Sequence, residues 1–196
     1  MKVLLCLAFF LSGAAGLIFE ILFFRMAGLT FGNSVWASSL ALSSFMGGLA
    51  LGNALSIRFG FRIRRPVVFY ALLEVVAGLV GHGLVVQFPG LPETFAPVFR
   101  PLLGEPAALN PLRFGIAFVL FLLPTTAMGM TLPVMVKGLN ALSRSFAATL
   151  GKLYGWNTLG AMSGAVLIEE ALISHLGIDG SALAAASLNG AAAVIA

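Results

Sequence analysis

The chain is a succession of apolar runs, each long enough to cross a lipid bilayer. A membrane-spanning helix needs roughly 20 mostly apolar residues, and the sequence divides into about six such runs. Hydrophobic residues make up 60% of the 196 residues and charged residues 9%, whereas a soluble domain carries about 25% charge. The sequence therefore predicts an all-α, polytopic membrane protein with a single transmembrane domain.

The short links between the runs predict the orientation of the chain. The predicted helices cover residues 3–29, 34–57, 67–88, 114–136, 153–174 and 180–196. Basic residues concentrate in the second-to-third link and around the fourth-to-fifth link, and such residues favour the cytoplasmic side. Alternation then predicts that both chain ends are cytoplasmic, in a bacterial or archaeal cytoplasmic membrane. The start of the chain resembles a signal peptide, but its apolar run continues past any cleavage point, so we expect a retained first helix.

One long link, residues 89–113, is predicted to lie outside the membrane on the opposite face. It holds six of the nine prolines, and prolines at this density forbid a long helix. We expect an irregular cap on the membrane surface, and the alternative is a lid or a loop that docks a partner.

Several functional classes find no support in the sequence. The net charge of +4 comes from basic residues at the ends of apolar runs, where topology explains them, so no nucleic-acid partner is predicted. The single cysteine, Cys6, excludes an intrachain disulfide and has no metal-ligand neighbours. The glycines of GHGLVVQ, residues 81–87, lie within a membrane run and not in a nucleotide loop. No cofactor, metal site or catalytic constellation is predicted.

The first run contains two charged residues, Glu20 and Arg25. Gly13, Gly16 and Glu20 share one face of the helix, and small residues mark surfaces where membrane helices approach closely. Glu20 is therefore predicted to face the bundle interior, where an ionisable group is usually functional. Arg25 lies five positions further on, which is a poor spacing for a pair with Glu20. It either reaches the headgroups along its own stem or pairs with another helix.

Three more polar residues complete the candidate intramembrane polar site. Glu74 is predicted to be a second inward carboxylate, nearer the cytoplasm. His82 shares its helix face, where a lone histidine is more often a hydrogen-bonded interior residue than a ligand. Asn157 lies on a stripe with Gly160 and Gly164. Inward carboxylates suit a cationic amine, since they attract ammonium groups in a low-dielectric site, and they suit a proton relay equally well.

Other residues predict helix packing and shape. Gly48 and Gly52 have the GxxxG spacing of close helix contacts. Pro124 and Pro133 predict a kinked or broken fourth helix, with Thr125 and Thr126 near the freed carbonyls. Glu169 and Glu170, at the outer end of the fifth run, are either solvated at the interface or form an anionic contact for an outer partner. The residues predicted to pack helices together are Gly13, Gly16, Gly48, Gly52, Gly160 and Gly164.

Four ordered blocks resemble the membrane domain of the fused membrane-protein and spermidine-synthase family, which is also described as half of a major facilitator fold. These blocks are FLSGAAGLIFEILFFRMAGLTFGNS, SSFMGGLALGNAL, LLPTTAMGMTLPVM and GKLYGWNTLGAMSGAVLI. The resemblance implies a following cytosolic domain that transfers an aminopropyl group to a diamine. It also implies a membrane domain that anchors or regulates polyamine synthesis and has a polyamine-like ligand.

Two alternatives stand beside this interpretation. The chain is a transporter half that acts as a homo-oligomer or pairs with a second half. Otherwise it is an accessory subunit that packs into a larger membrane complex through its glycine stripes, Trp156 and the outer loop.

Overall fold

The computed structural model describes residues 2–31, 35–140 and 146–196, and this part of the chain is almost entirely helical. It contains no strand. An apolar helix satisfies its backbone hydrogen bonds internally, which is what the hydrocarbon of a membrane requires. The all-α class predicted from the sequence is therefore confirmed. The helices are, in chain order, α1 (Lys2–Phe31), α2 (Val35–Phe59), α3 (Pro66–Gln87), α4 (Leu91–Thr94), α5 (Ala96–Phe99), α6 (Pro106–Asn140), α7 (Phe146–Leu167) and α8 (Ile173–Ile195).

Five stretches of the described chain are long and apolar enough to cross a membrane. They are Val3–Leu29, Ser38–Phe59, Pro66–Gly90, Pro106–Gly138 and Ala147–Ile195. The chain is thus an integral membrane protein by helix length and hydropathy.

The last of these stretches is a hairpin. A π-helical segment, Ile168–Leu172, continues α7 into the start of α8, and Gly177 then leaves helical geometry with φ 68° and ψ −171°. Leu153 and Ala192 pack in the same buried cluster, so the chain must fold back between them. In the part of the chain described here, the bundle therefore consists of six long helical legs, α1, α2, α3, α6, α7 and α8.

The segment between α3 and α6 differs from the predicted irregular cap. It consists of α4 and α5 together with two short 3₁₀ turns, and each of these four pieces has a proline in its first two positions. Proline suits the start of a helix because its missing N–H would have no intrahelical acceptor there. For the same reason α6 begins at Pro106 and not near residue 114, so the prolines here start turns and do not prevent them.

Contacts between the legs place α1 in the middle of the bundle. It packs against α7 and α8, while α2 packs on α6 and α3 packs on both α6 and α8. One buried cluster contains stacked rings, with Phe23 and Phe121 centroids 4.7 Å apart and Phe88 and Phe121 centroids 5.8 Å apart. The other contains Phe9 stacked on Tyr70 at 5.2 Å.

Basic residues of the α2–α3 link and of the end of α6 lie at the same end of the bundle. Lys137, near the end of α6, donates its ammonium to the backbone carbonyls of Gly60 and Ile63, the second at 3.1 Å. This bond ties α6 to the arginine-rich link between α2 and α3. Both ends of the chain lie at this end, because Leu5 and Ala196 pack into the same cluster as Ile63. Arg144, which contributed to the predicted orientation, lies outside the described residues.

Candidate functional site

A cavity of about 240 Å³ lies between α1, α2, α6 and α7. One water needs about 10–15 Å³ of such space, so the cavity is large enough for several waters. Glu20 is the one ionisable residue among those described in the lining. The other polar lining residues are Ser12 on α1, Asn53 on α2, Thr131 on α6 and Asn157 on α7.

These four neutral side chains all donate to acceptors of the protein itself. Because their hydroxyl hydrogens and one amide N–H of each asparagine are used in this way, the polar lining is rich in acceptors. No Lys, Arg or His of the described residues lines this cavity. The bonds are Ser12 Oγ to Glu74 Oε1 at 2.6 Å, Asn53 Nδ2 to the Leu49 carbonyl at 2.9 Å, Thr131 Oγ1 to the Met128 carbonyl at 2.7 Å and Asn157 Nδ2 to the Phe9 carbonyl at 3.2 Å.

Glu20 is partly buried and lies between two cavities. Besides the one described above, it lines a second cavity of about 510 Å³ together with Arg25 and Glu169. In the described part of the chain, no hydrogen bond or ion pair engages its carboxylate. Glu20 is thus a carboxylate free to bind a ligand from either cavity.

Arg25 pairs with another helix and not with Glu20. Its Nη2 lies 2.6 Å from Oε2 of Glu169, in the π-helical segment that follows α7. Both side chains lie at the surface of the bundle, with exposed fractions of 41% and 50%. The ion pair lies on the wall of the larger cavity, which Glu20 also lines. Glu170 is exposed beside it.

Glu74 is buried, at 1% exposure, and hydrogen-bonded by neutral groups from two other helices. Ser12 of α1 donates to one oxygen at 2.6 Å. Asn189 of α8, in the amide orientation that satisfies all its neighbours, donates to the other oxygen at 3.0 Å and accepts from the Gly78 backbone N–H at 3.2 Å. The Tyr70 hydroxyl lies next to the same carboxylate without a well-formed hydrogen bond. Glu74 therefore joins α1, α3 and α8 at a polar contact in the core.

His82 is not brought together with either carboxylate cavity. It lines neither cavity, and its Nδ1 is buried without a hydrogen-bond partner in the described part of the chain. Of the predicted polar site, the structure thus gathers Glu20 and Asn157 around one cavity. Arg25 lies at the second cavity, and Glu74 is linked to the first through Ser12.

Close glycine contacts build the walls of the smaller cavity. On the α1–α7 side, a Cβ at Gly160 would overlap the Phe10 carbonyl. On the α2–α6 side, a Cβ at Gly48 would overlap the Thr125 side chain. Gly13, Gly52 and Gly164 likewise approach backbone or side-chain atoms of the facing helix. Such contacts need residues without a Cβ.

Gly16 corrects one packing prediction. A Cβ there would have no atom of another residue within 4 Å, because Gly16 faces the cavity. Its lack of a side chain leaves space beside Glu20 and does not bring two helices together.

The proline-containing helix α6 is continuous, with Pro111, Pro124 and Pro133 inside it. Pro124 and Pro133 remove the backbone donors that would reach carbonyls one turn earlier, those of Leu120 and Gly129. The nearby hydroxyls bond to other carbonyls: Thr125 donates to Phe121 at 2.6 Å. The Thr126 hydroxyl is buried without a partner in the described residues.

Ser12, Asn53 and Asn189 are functional-site residues that the sequence analysis did not predict. All three are neutral, and small polar residues are common inside membrane helices. One sequence feature could have indicated Ser12: it directly precedes Gly13, which lies on the small-residue face of α1. Asn189 had a comparable signal as a lone amide in an otherwise apolar leg.

No protein-family model, curated protein or solved structure matches this chain. The likeness to the spermidine-synthase-fused family therefore stays a prediction from the four sequence blocks.

Proposed function

We propose that this chain is the integral membrane domain of a spermidine-synthase-like protein and that its interior cavity binds a cationic amine at Glu20. One observation carries the ligand part of the proposal. The cavity presents a carboxylate with no protein partner among the described residues, and the neighbouring hydroxyl hydrogens and one amide N–H of each asparagine are already engaged. Such a lining favours a ligand that is positively charged and rich in N–H donors.

An ammonium group meets both requirements. It carries three N–H donors, of which one can bind Glu20 and the others can bind oxygen atoms of the acceptor-rich lining or water. The attraction is strong because the cavity lies within a low-dielectric bundle. A polyamine would place one ammonium at Glu20 and extend along α1 toward Ser12, roughly 12 Å away at 1.5 Å per residue.

Binding of 1,4-diaminobutane to the purified chain in lipid nanodiscs, measured by calorimetry, tests this proposal. Glu20→Gln keeps the shape of the side chain and removes its charge. A charged hydrogen bond contributes about 1.5–3 kcal/mol, so we expect affinity to fall about 10- to 100-fold.

Glu170→Gln is the matched control, because Glu170 is an exposed carboxylate at the outer end, and it should leave binding unchanged. Equal loss in both variants, or no diamine binding by the parent protein, contradicts the proposed site. The second outcome is the one that the accessory-subunit hypothesis predicts.

A second candidate, a transporter half that acts as an oligomer, is favoured by a separate observation. Glu20 lines both cavities, so a cation bound there has access to the inner and the outer part of the bundle. Uptake of labelled diamine into proteoliposomes distinguishes the two candidates. Binding without uptake favours an anchoring or regulatory domain, and uptake lost in Glu20→Gln favours transport.

A further inference from the structure

Ser12 belongs to two polar sites at once. Its side chain lines the smaller cavity, while its hydroxyl donates to Glu74 at 2.6 Å. A single hydroxyl therefore separates a fully buried carboxylate from the cavity. Nothing in the proposed amine site at Glu20 requires this link.

The surroundings of Glu74 contain no positive charge among the described residues. Its hydrogen-bond donors are Ser12 on α1 and Asn189 on α8, and the one titratable group beside it is the Tyr70 hydroxyl on its own helix. The third helix packed against α3, α6, contributes no charged group to this contact. An unpaired negative charge is costly in such an environment, so a proton is the counter-charge most easily supplied.

The hydroxyl of Ser12 can serve both protonation states of Glu74, since a hydroxyl both donates and accepts. With Glu74 ionised, Ser12 donates to it as observed. With Glu74 protonated, the carboxyl donates to Ser12 Oγ, and the serine hydrogen turns toward the cavity. In the exchange between the two states, a protonated cavity water (H₃O⁺) gives a proton to Ser12 Oγ while Ser12 passes its own hydrogen to Glu74 Oε1, which leaves a neutral water and a neutral carboxyl. Ser12 is unchanged by the transfer.

We propose that Glu74 is a proton-binding site that exchanges its proton with the cavity through the hydroxyl of Ser12. The Tyr70 hydroxyl, buried and without a well-formed hydrogen bond, offers a further acceptor for the protonated carboxyl. The proton site stands on its own geometry. Its coupling to a cation in the cavity rests on the proposed function: a cation near Ser12 favours ionised Glu74, and by reciprocity proton release strengthens cation binding.

Infrared difference spectroscopy of the full chain in nanodiscs, with no amine present, tests the proton site. Raising the pH should remove a protonated-carboxyl band that is absent from Glu74→Gln and retained in Glu20→Gln. Transfer to D₂O should shift this band. The rate at which the carboxyl hydrogen of Glu74 exchanges for deuterium should be about tenfold or more lower in Ser12→Ala. The rate should be unchanged in Ser187→Ala, where an exposed serine of α8 is replaced.

Ser12→Thr keeps the hydroxyl and should restore fast exchange, which separates a relay from a packing defect. The proposal is overturned if the parent protein shows no carboxyl band dependent on Glu74 at any pH at which it stays folded. It is also overturned if Ser12→Ala exchanges at the parent rate. Because no amine is used, this test does not depend on the amine site. Where diamine binds, its coupling to Glu74 is measured separately, as the number of protons released on binding.

Discussion

Three carboxylates of the bundle are held in three different ways. Glu20 faces two cavities with no partner in the described residues, Glu74 receives hydrogen bonds from neutral side chains, and Glu169 forms an ion pair with Arg25. Removing the charge of Glu20 strands no hydrogen-bond partner among the described residues. Removing the carboxyl of Glu74 would take the acceptor from the Ser12 hydroxyl and would leave the Asn189 donor buried and unsatisfied, at about 1–3 kcal/mol.

Residue type alone was enough to find some of these positions. Charged groups are rare in apolar runs, so Glu20, Arg25 and Glu74 were conspicuous. The face shared with Gly13 predicted an interior position for Glu20, which lines the cavity between α1, α2, α6 and α7. The partners were not predictable, because a bond such as Ser12 to Glu74 joins residues 62 positions apart. Their meeting depends on how the helices rotate and pack, and a single sequence does not record that.

Gly160 provides a test of close helix packing. Gly160→Ala would place a methyl group against the Phe10 carbonyl of α1, and overpacking of this kind costs about 1–3 kcal/mol. We expect a lower thermal unfolding midpoint. It can be measured by the reaction of Cys6, the one cysteine of the chain and a buried residue, with a fluorogenic maleimide.

The control for this prediction is Gly155→Ala in the same helix, where a Cβ meets no atom of another residue within 4 Å. That change should leave stability unchanged or raise it, since alanine favours helix by up to about 1 kcal/mol. Equal destabilisation by both substitutions would show that the α1–α7 contact is not the cause.

At the scale of elements, the sharpest local feature is the turn at Gly177. Its φ of 68° and ψ of −171° fall in a region open essentially only to glycine. Ser181 supports the turn by donating its hydroxyl to the Gly177 carbonyl at 2.5 Å. The apolar runs predicted a break between residues 174 and 180, but hydropathy could not identify which residue supplies it.

Gly177→Ala should strain this turn by about 1–3 kcal/mol and lower the unfolding midpoint. Gly190→Ala, in the helical part of α8 with no neighbouring atom within 4 Å of the added Cβ, should have no such effect. Retention of full stability by Gly177→Ala would mean that the hairpin tolerates an ordinary helical bend at this position.

Element boundaries were predicted well where hydropathy changes abruptly and poorly where proline was decisive. The predicted third helix, 67–88, nearly coincides with Pro66–Gln87. The start of α6 was misplaced because Pro106 was counted as a breaker, although it lies in the first turn of the helix. Proline lacks its N–H donor whether it begins a helix or interrupts one, and its position within the helical turn decides which of the two occurs.

At the scale of the whole molecule, composition predicted a membrane bundle because hydrocarbon permits so few alternatives. Composition does not indicate whether a cytosolic enzyme domain accompanies the bundle, and that question separates the proposed family from a free-standing transporter or subunit.

The intact mass of the protein extracted from its native membrane tests the family part of the proposal. The 196 residues of the sequence account for 20.4 kDa, and the resemblance to the spermidine-synthase-fused family predicts a mass larger by that of an enzyme domain. A mass close to 20.4 kDa would contradict the anchoring role and leave the amine site to be explained by transport.

The central position of α1 has a consequence for how the bundle is assembled during synthesis. This leg is synthesised before α7 and α8, yet it packs against both of them. Until α8 is inserted, Glu74 lacks the Asn189 donor, and the face of α1 that packs on α8 is uncovered. The hydrogen bonds that hold Glu74 are therefore completed only after α8 has entered the membrane beside α1 and α3.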